Sequence, residues 1–144
     1  MDAQPATAQA AEQTIALIGI GDDEQFAIAR AACSGTLKWR GTYPSIAALA
    51  DVQIDEGCIL LIDEDTASPD TIDLLEQNGE PRRGALSILQ TSRAEVRHVV
   101  SAMKRGVADV LIKPCTPGRL RSAVFDARHR FCASAAPAGR MHSR

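Results

Sequence analysis

The stretch CILLID occupies residues 58–63 and places a carboxylate at the end of an unbroken apolar run. Such a short run, without the alternation of a half-exposed strand, is typical of a parallel strand buried on both faces. Similar runs occur at residues 14–20, 85–89 and 110–112, and a weaker one at 37–43. The sequence therefore predicts five strands.

Helical patterns separate these strands. Four apolar residues of the fourth pattern share one helical face, since they fall at i, i+3, i+4 and i+7: Val96, Val99, Val100 and Met103. The other patterns cover residues 23–33, 46–49, 72–75 and 116–131. Strands that alternate with helices form a parallel sheet with helices on both faces. We predict an α/β fold, a (βα)5 doubly wound five-stranded parallel sheet of flavodoxin-like topology.

The length of 144 residues, 45% of them hydrophobic, suits one domain, which we assign to residues 14–131. Residues 1–13 have no basic residue ahead of an apolar run, so they are predicted to be a disordered tail rather than a signal peptide. Residues 132–144 are rich in Ala, Pro, Gly, Ser and Arg, which predicts a disordered tail or linker. No apolar run reaches membrane-spanning length, and we expect a cytoplasmic protein.

Cysteine, histidine and charge narrow the possible functions. The four cysteines form no C-x-x-C pair, which disfavours a metal site or disulfide framework, and the three histidines are predicted to lie on the surface. Residues 51–80 carry ten acidic and no basic side chains, whereas residues 81–144 carry thirteen basic and three acidic ones. This asymmetry is compatible with solvated helix faces or with a basic docking surface.

Polar residues follow the predicted strands at one edge of the sheet, where parallel sheets form their sites. They are an acidic pair, a lone carboxylate, a hydroxyl and a lysine: Asp22 and Asp23, Asp63, Thr91, and Lys113. Each has an ordinary structural explanation, such as helix capping by the acidic pair or by the threonine. Their occurrence at successive strand ends favours a common site.

With these residues in place, the sequence over residues 14–131 resembles the receiver domains of bacterial response regulators. Asp63 ends its apolar strand, and Thr91-Ser92 precedes Lys113 at the spacing usual in that family. The stretch AMKRGVADVLIKP, residues 102–114, is close to the family's fourth-helix-to-fifth-strand signature and leans toward nitrogen-fixation-type regulators. The resemblance implies the receiver topology for the predicted sheet.

The resemblance also implies a mechanism. Asp63 would accept a phosphoryl group from a histidine kinase, needing no general base because a carboxylate is already ionised at neutral pH. Mg²⁺ held by Asp22, Asp23, Asp63 and the backbone carbonyl of Asp65 would neutralise the charge. Lys113 would pair with the phosphoryl oxygens, and Thr91 would move its hydroxyl onto one of them. A cis Lys113–Pro114 bond is implied as well.

Three departures from the family pattern leave alternatives open. The acidic pair lies a few residues too close to Asp63, so either the first helix is shortened or Asp22 and Asp23 lie in a loop. Pro69 comes two positions late after the acceptor. Val110 and Cys115 replace aromatic residues that are usual in the family.

The sequence therefore predicts a phosphorelay switch, with a degenerate receiver that binds partners independently of phosphorylation as the alternative. Beyond self-catalysed phosphoryl acceptance and autodephosphorylation, no enzymatic activity is expected. A dinucleotide-binding enzyme has only Gly19-Ile20-Gly21 in its favour, which is weak evidence without a third glycine.

The expected partners are a histidine kinase or phosphotransfer protein and an output protein or domain. We expect docking, or homodimerisation, on the face of the fourth helix, fifth strand and fifth helix. Nucleic acid is disfavoured because no base-reading helix accompanies the charge. Eight basic residues of that face motivate the prediction: Arg93, Arg97, Lys104, Arg105, Arg119, Arg121, Arg128 and Arg130.

Overall fold

Five parallel strands form one sheet in the computed structural model, which describes residues 14–78 and 84–142. Their spatial order is β2-β1-β3-β4-β5. The strands are β1 Ile15–Ile20, β2 Leu37–Tyr43, β3 Ile59–Asp63, β4 Leu86–Thr91 and β5 Asp109–Ile112. The predicted fold class, a five-stranded parallel α/β sheet, is confirmed.

The described residues form four α-helices, three between strands and the last after β5: α1 Ala27–Ala32, α2 Pro69–Asn78, α3 Val96–Lys104 and α4 Pro117–His142. The first predicted helix begins as a 3-10 turn at Asp23–Phe26, and the second is only the 3-10 turn Ala47–Leu49. The predicted fourth and fifth helices therefore correspond to α3 and α4.

Alternate residues of each buried strand pack into two different cores. Leu17 and Leu61 face α1 and α4, in one core that also contains Phe26 and Val124. Ile18, Leu60 and Ile62 face the opposite side, where residues from the second 3-10 turn and from α3 cover the sheet. Because successive strand residues point to opposite faces, a continuous apolar run satisfies both cores at once.

The apolar face predicted for α3 is only partly buried. Val99 packs against the core and Ala102 is buried, as the helical spacing requires. Val96, Val100 and Met103 are instead 77%, 45% and 41% exposed. The four residues share one helical face, but only part of this face is buried, because the short helix contacts the sheet along a narrower line than its apolar stripe.

The C-terminal helix differs from the tail predicted for residues 132–144. α4 continues past Phe131 to His142. Several alanines in this stretch favour a helix because they lose no side-chain entropy in it: Ala133, Ala135, Ala136 and Ala138. The tail predicted for residues 1–13 and the last two residues of the chain lie outside the described residues.

Within the described parts of the chain, no helix combines the length and the apolar character needed to cross a bilayer.

Candidate functional site

The Asp63 side chain ends β3 inside the protein, with 0% of its surface exposed. Its Oδ1 atom accepts hydrogen bonds from Lys113 Nζ at 2.7 Å and from Gln90 Nε2 at 3.1 Å. Its Oδ2 atom accepts a hydrogen bond from the Thr66 hydroxyl. A buried carboxylate is stable only where donors and a cation replace water, and these three side chains do so. Both oxygens of Asp63 therefore have protein partners.

Lys113 follows β5 and brings its ammonium group to the same edge of the sheet. Besides Asp63, Nζ contacts Gln25 Oε1 and Asp65 Oδ2, each at 2.8 Å. Partial burial opposes the positive charge, but hydrogen bonds and attraction from Asp63 and Asp65 outweigh it and raise the pKa of Lys113. The Lys113–Pro114 bond is cis, as the resemblance implies.

The Asp65 carboxylate connects the loop after β3 with the loop after β4. In addition to Lys113, it accepts hydrogen bonds from the backbone N–H and the hydroxyl of Ser92, both at 3.1 Å. Burial alone would raise the pKa of Asp65, but Lys113 and Ser92 stabilise the ionised form and lower it. The side chain of Asp65 thus forms an ion pair with Lys113, whereas the sequence prediction named the backbone carbonyl of Asp65 as a Mg²⁺ ligand.

A glycine occupies the end of β1 nearest to Asp63. A Cβ atom on Gly21 would lie 2.8 Å from Thr66 Oγ1 and 3.0 Å from the Asp63 Cβ. The backbone of Gly21 also has a φ of +143°, which L side chains rarely adopt. A carboxylate at this position is therefore disfavoured both by space and by backbone conformation.

Asp22 and Asp23, the predicted acidic pair, lie in the turn beyond this glycine. The Asp22 backbone N–H donates to Thr66 Oγ1 at 2.9 Å, and its side chain is exposed. The Asp23 carboxylate pairs with Arg30 at 2.9 Å and accepts a hydrogen bond from the Thr42 hydroxyl. Asp22 directly precedes the 3-10 turn Asp23–Phe26, and Asp23 is the first residue of that turn.

The predicted Mg²⁺ site can be compared with the carboxylates present around Asp63. Among residues 14–78 and 84–142, no group of three or more His, Cys, Asp or Glu side chains could hold a metal ion. Asp63 and Asp65 share Lys113 as their cation, and Gly21 leaves no space for a further carboxylate beside Asp63. Mg²⁺ is commonly held by only one or two carboxylates together with other oxygens, so its binding by the residues named in the sequence analysis stays a prediction.

Thr91, the last residue of β4, is fully buried, but its hydroxyl is directed toward a different carboxylate. Thr91 Oγ1 donates to Glu64 Oε1 at 2.6 Å, and His98 Nε2 contacts the same oxygen at 2.7 Å. The side chains of His98 and Glu64 are only 10% and 16% exposed. The prediction of a surface histidine was therefore wrong for His98, which connects α3 to the loop after β3.

The sequence indicated three of the residues at this edge, Asp63, Thr91 and Lys113, and missed several of their partners. Gln90 is one of the missed partners, although the sequence contains a signal for it. An amide inside an apolar strand needs a buried hydrogen-bond partner. Gln90 donates to Asp63 and also to the backbone carbonyl of Gln25, 65 residues away in sequence. The His98–Glu64 contact has no comparable sequence signal.

This chain is similar to known proteins in its structure. No family model matches the chain, and no curated protein matches its sequence. A response regulator from Thermotoga maritima superposes with a TM-score of 0.67 at 12% identity, over 81% of this chain and 98% of the other. The chain has the fold of a receiver domain.

Pilus assembly proteins share this receiver fold. A pilus assembly-related protein from Burkholderia pseudomallei has 24% identity and a TM-score of 0.62, over 81% of this chain and 91% of that one. The pilus assembly protein CpaE from Caulobacter crescentus has 15% identity and a TM-score of 0.59, over 77% and 91%. At these identities the similarity concerns the fold, and the receiver fold explains why Asp63, Thr91 and Lys113 lie at one sheet edge.

Proposed function

We propose that this chain is a receiver-fold interaction module that binds a protein partner without accepting a phosphoryl group. The observation that carries the proposal is the closed environment of Asp63. Its carboxylate is fully buried and bound by Lys113, Gln90 and Thr66. In this arrangement, Asp63 contributes to the fold as one partner of an interior ion pair.

Phosphoryl acceptance requires an accessible carboxylate oxygen in line with the donor. Oδ2 lies under the Thr66 hydroxyl, and Thr66 is in turn held by the backbone of Asp22. Oδ1 is occupied by the lysine ammonium and the Gln90 amide. A donor would therefore have to displace hydrogen bonds on whichever oxygen it approached.

The charge balance of the site also opposes a dianionic ligand. Transfer of a phosphoryl group is driven by cations that neutralise its oxygens. Lys113 is the cation in contact with Asp63, and it is shared with Asp65. Adding phosphoryl charge beside two carboxylates and one ammonium would cost electrostatic free energy that these side chains alone do not offset.

The partner surface that we propose is centred on α3. Of the eight basic residues in the predicted docking face, four bind acceptors within the fold: Arg119, Arg121, Arg128 and Arg130. The other four lie on or beside α3: Arg93, Arg97, Lys104 and Arg105. Arg121 in particular donates to the Ala32 carbonyl at 2.8 Å, so it connects α4 to α1 and is not free for a partner.

Apolar side chains accompany this charge on α3. Val96, Val100 and Met103 are exposed at helical spacing, next to the basic residues. Such a surface fits a partner that combines apolar and acidic groups, because the apolar contact supplies affinity and the charge orients the encounter. An output protein or a second copy of the chain would meet this description. The fold's occurrence in two pilus assembly proteins supports a partner from that machinery.

Intact mass spectrometry after incubation with acetyl phosphate and Mg²⁺ tests the proposal. We expect no phosphoryl addition to the wild-type chain or to Asp63→Asn, while a phosphorylatable receiver domain treated in parallel gains one phosphoryl mass. Addition of one phosphoryl group to wild type, absent from Asp63→Asn, would contradict it.

Phosphoryl acceptance from a histidine kinase or phosphotransfer protein is the second candidate function. The Lys113–Asp63 distance of 2.7 Å favours it, since this pair and Thr91 lie at the carboxyl edge of the sheet. Under this candidate, Thr91 must exchange its bond to Glu64 for one to the phosphoryl group. The mass experiment distinguishes the two candidates directly.

A further inference from the structure

A cavity of about 640 Å³ lies beside α3, away from the Asp63 carboxylate. Its lining combines arginines with a small apolar floor: Arg93, Arg97, Arg105, Ile72, Leu89 and Ala102. We call this cavity the α3 groove. Its volume falls within the roughly 300–1,000 Å³ that is usual for small-molecule sites.

The positive charge of the α3 groove comes from one side of the helix. Arg97, Ser101 and Arg105 follow each other at intervals of four residues, so they lie along one column of α3 and its C-terminal end. Neither Arg97 nor Arg105 makes a side-chain hydrogen bond or ion pair with any residue that the structure describes. Arg93 has only a 3.7 Å contact with the exposed Glu95.

Two acidic residues, Glu64 and Glu95, also line the α3 groove. Glu64 accepts hydrogen bonds from Thr91 and contacts His98 at 2.7 Å, and its side chain is largely buried. Among the described residues, the ion-pair contacts of the two glutamates are Glu64 with His98 and Glu95 with Arg93, the latter at 3.7 Å. Within residues 14–78 and 84–142, the guanidinium groups of Arg97 and Arg105 have no side-chain partner, and the floor of the groove includes Leu89 and Ala102, both buried.

We propose that the α3 groove binds a phosphate ester with a planar or apolar body, which is the chemistry of a nucleotide. The arginine fork matches phosphate oxygens in a bidentate manner and stacks against planar groups. The floor accepts the body of the ligand while Arg97 and Arg105 hold its phosphate. The α3 groove shares Arg93, Arg97 and Arg105 with the proposed partner surface but contains none of its apolar residues Val96, Val100 and Met103, and its ligand does not depend on the proposed function.

Titration with adenosine monophosphate and guanosine monophosphate tests the site, with calorimetry for affinity and amide NMR spectra for location. We expect binding to wild type, with signals of residues 97–105 shifting. The Arg97→Ala/Arg105→Ala variant should bind at least about tenfold more weakly, because two charge-assisted hydrogen-bond donors are lost. Arg40→Ala is the matched control, since Arg40 is exposed on β2, and it should bind as wild type does.

Two further ligands test which parts of a nucleotide the α3 groove binds. Adenosine, which lacks the phosphate, should bind much more weakly than its monophosphate, and inorganic phosphate should bind more weakly than either nucleotide. Equal affinities for phosphate and nucleotide would overturn the assignment of a phosphate ester. Absence of nucleotide binding, or unchanged binding by the double variant with retained fold, would overturn the site itself.

Discussion

Asp63 and Lys113 illustrate how a single ion pair joins distant parts of the chain. The carboxylate is fully buried, whereas the lysine side chain is 21% exposed, so the desolvation cost falls mainly on Asp63. Removing one member of such a pair leaves a buried charge without its counterion, which costs more than removing both. The two side chains should therefore be strongly coupled energetically.

A double-mutant cycle measures this coupling. Lys113→Met should lower the free energy of unfolding by about 3 kcal/mol, because Asp63 stays buried without a cation. Adding Asp63→Asn should recover part of that loss, since the charge is then removed as well. Urea unfolding provides the four free energies, and Lys104→Met, at an exposed position on α3, is the control. A loss no larger for Lys113→Met than for the control would contradict a stabilising pair.

Asp65 predicts a pH dependence with a definite sign. Its pKa is lowered in the folded protein, so folding favours the ionised carboxylate. This stabilisation is present above the unfolded-state pKa, about 4, and is lost as the pH falls through the lower folded-state value. Asp65→Asn should therefore flatten the decline in unfolding free energy below about pH 4. Urea titrations across that range would show parallel curves for the two proteins if Asp65 were uncoupled from Lys113.

At the scale of helices and strands, α3 carries apolar side chains that are not buried in the core. Val99 and Ala102 attach it to the core, and His98 attaches it to Glu64. Val96, Val100 and Met103 remain exposed, although burying them would be favourable. An exposed apolar stripe flanked by basic residues is typical of a surface that another protein covers.

Substitutions along α3 should separate folding from binding. Replacing Val96, Val100 and Met103 by serine should change the unfolding free energy by less than about 0.5 kcal/mol each, because these side chains are exposed. The same triple variant should lose self-association, or capture of its partner, in sedimentation or pull-down measurements. Val99 is partly buried, so Val99→Ser should instead lower the free energy of unfolding by about 1 kcal/mol or more. Unchanged association of a folded triple variant would place the partner surface elsewhere.

For the whole molecule, two cores on opposite faces of the sheet define the cooperative unit. The residues of α4 that belong to a core lie early in the helix: Leu120, Ala123, Val124 and Ala127. The stability of the fold should thus reside in residues 14–131, as the sequence analysis assigns them.

Truncation tests this assignment. A chain ending at Cys132 should unfold cooperatively, with a free energy within about 1 kcal/mol of the full chain, because the core contacts are retained. A chain ending at Val124 should be much less stable, since it lacks Ala127 and the following turn. Loss of cooperative unfolding on removing only residues 133–144 would show that the end of α4 is part of the folded unit.

The sequence by itself determined the sheet and the side chains at its edge. Continuous apolar runs such as CILLID predict buried parallel strands, because burial on both faces favours apolar residues at successive positions. Strand ends in a parallel sheet meet at one edge, so Asp63, Thr91 and Lys113 could be placed together without coordinates. These inferences depend only on local composition and on the geometry of a single fold class.

Only the tertiary structure decided which partners those side chains contact. Gln90 reaches Asp63 and Gln25 across 27 and 65 residues, and Lys113 reaches Gln25 across 88. Whether Asp63 is open or closed depends on such long-range contacts and on the space that Gly21 leaves, none of which has a periodic signature in the sequence. Burial of His98 against Glu64 is equally invisible, because a histidine among basic residues has the same local pattern on the surface and in a groove.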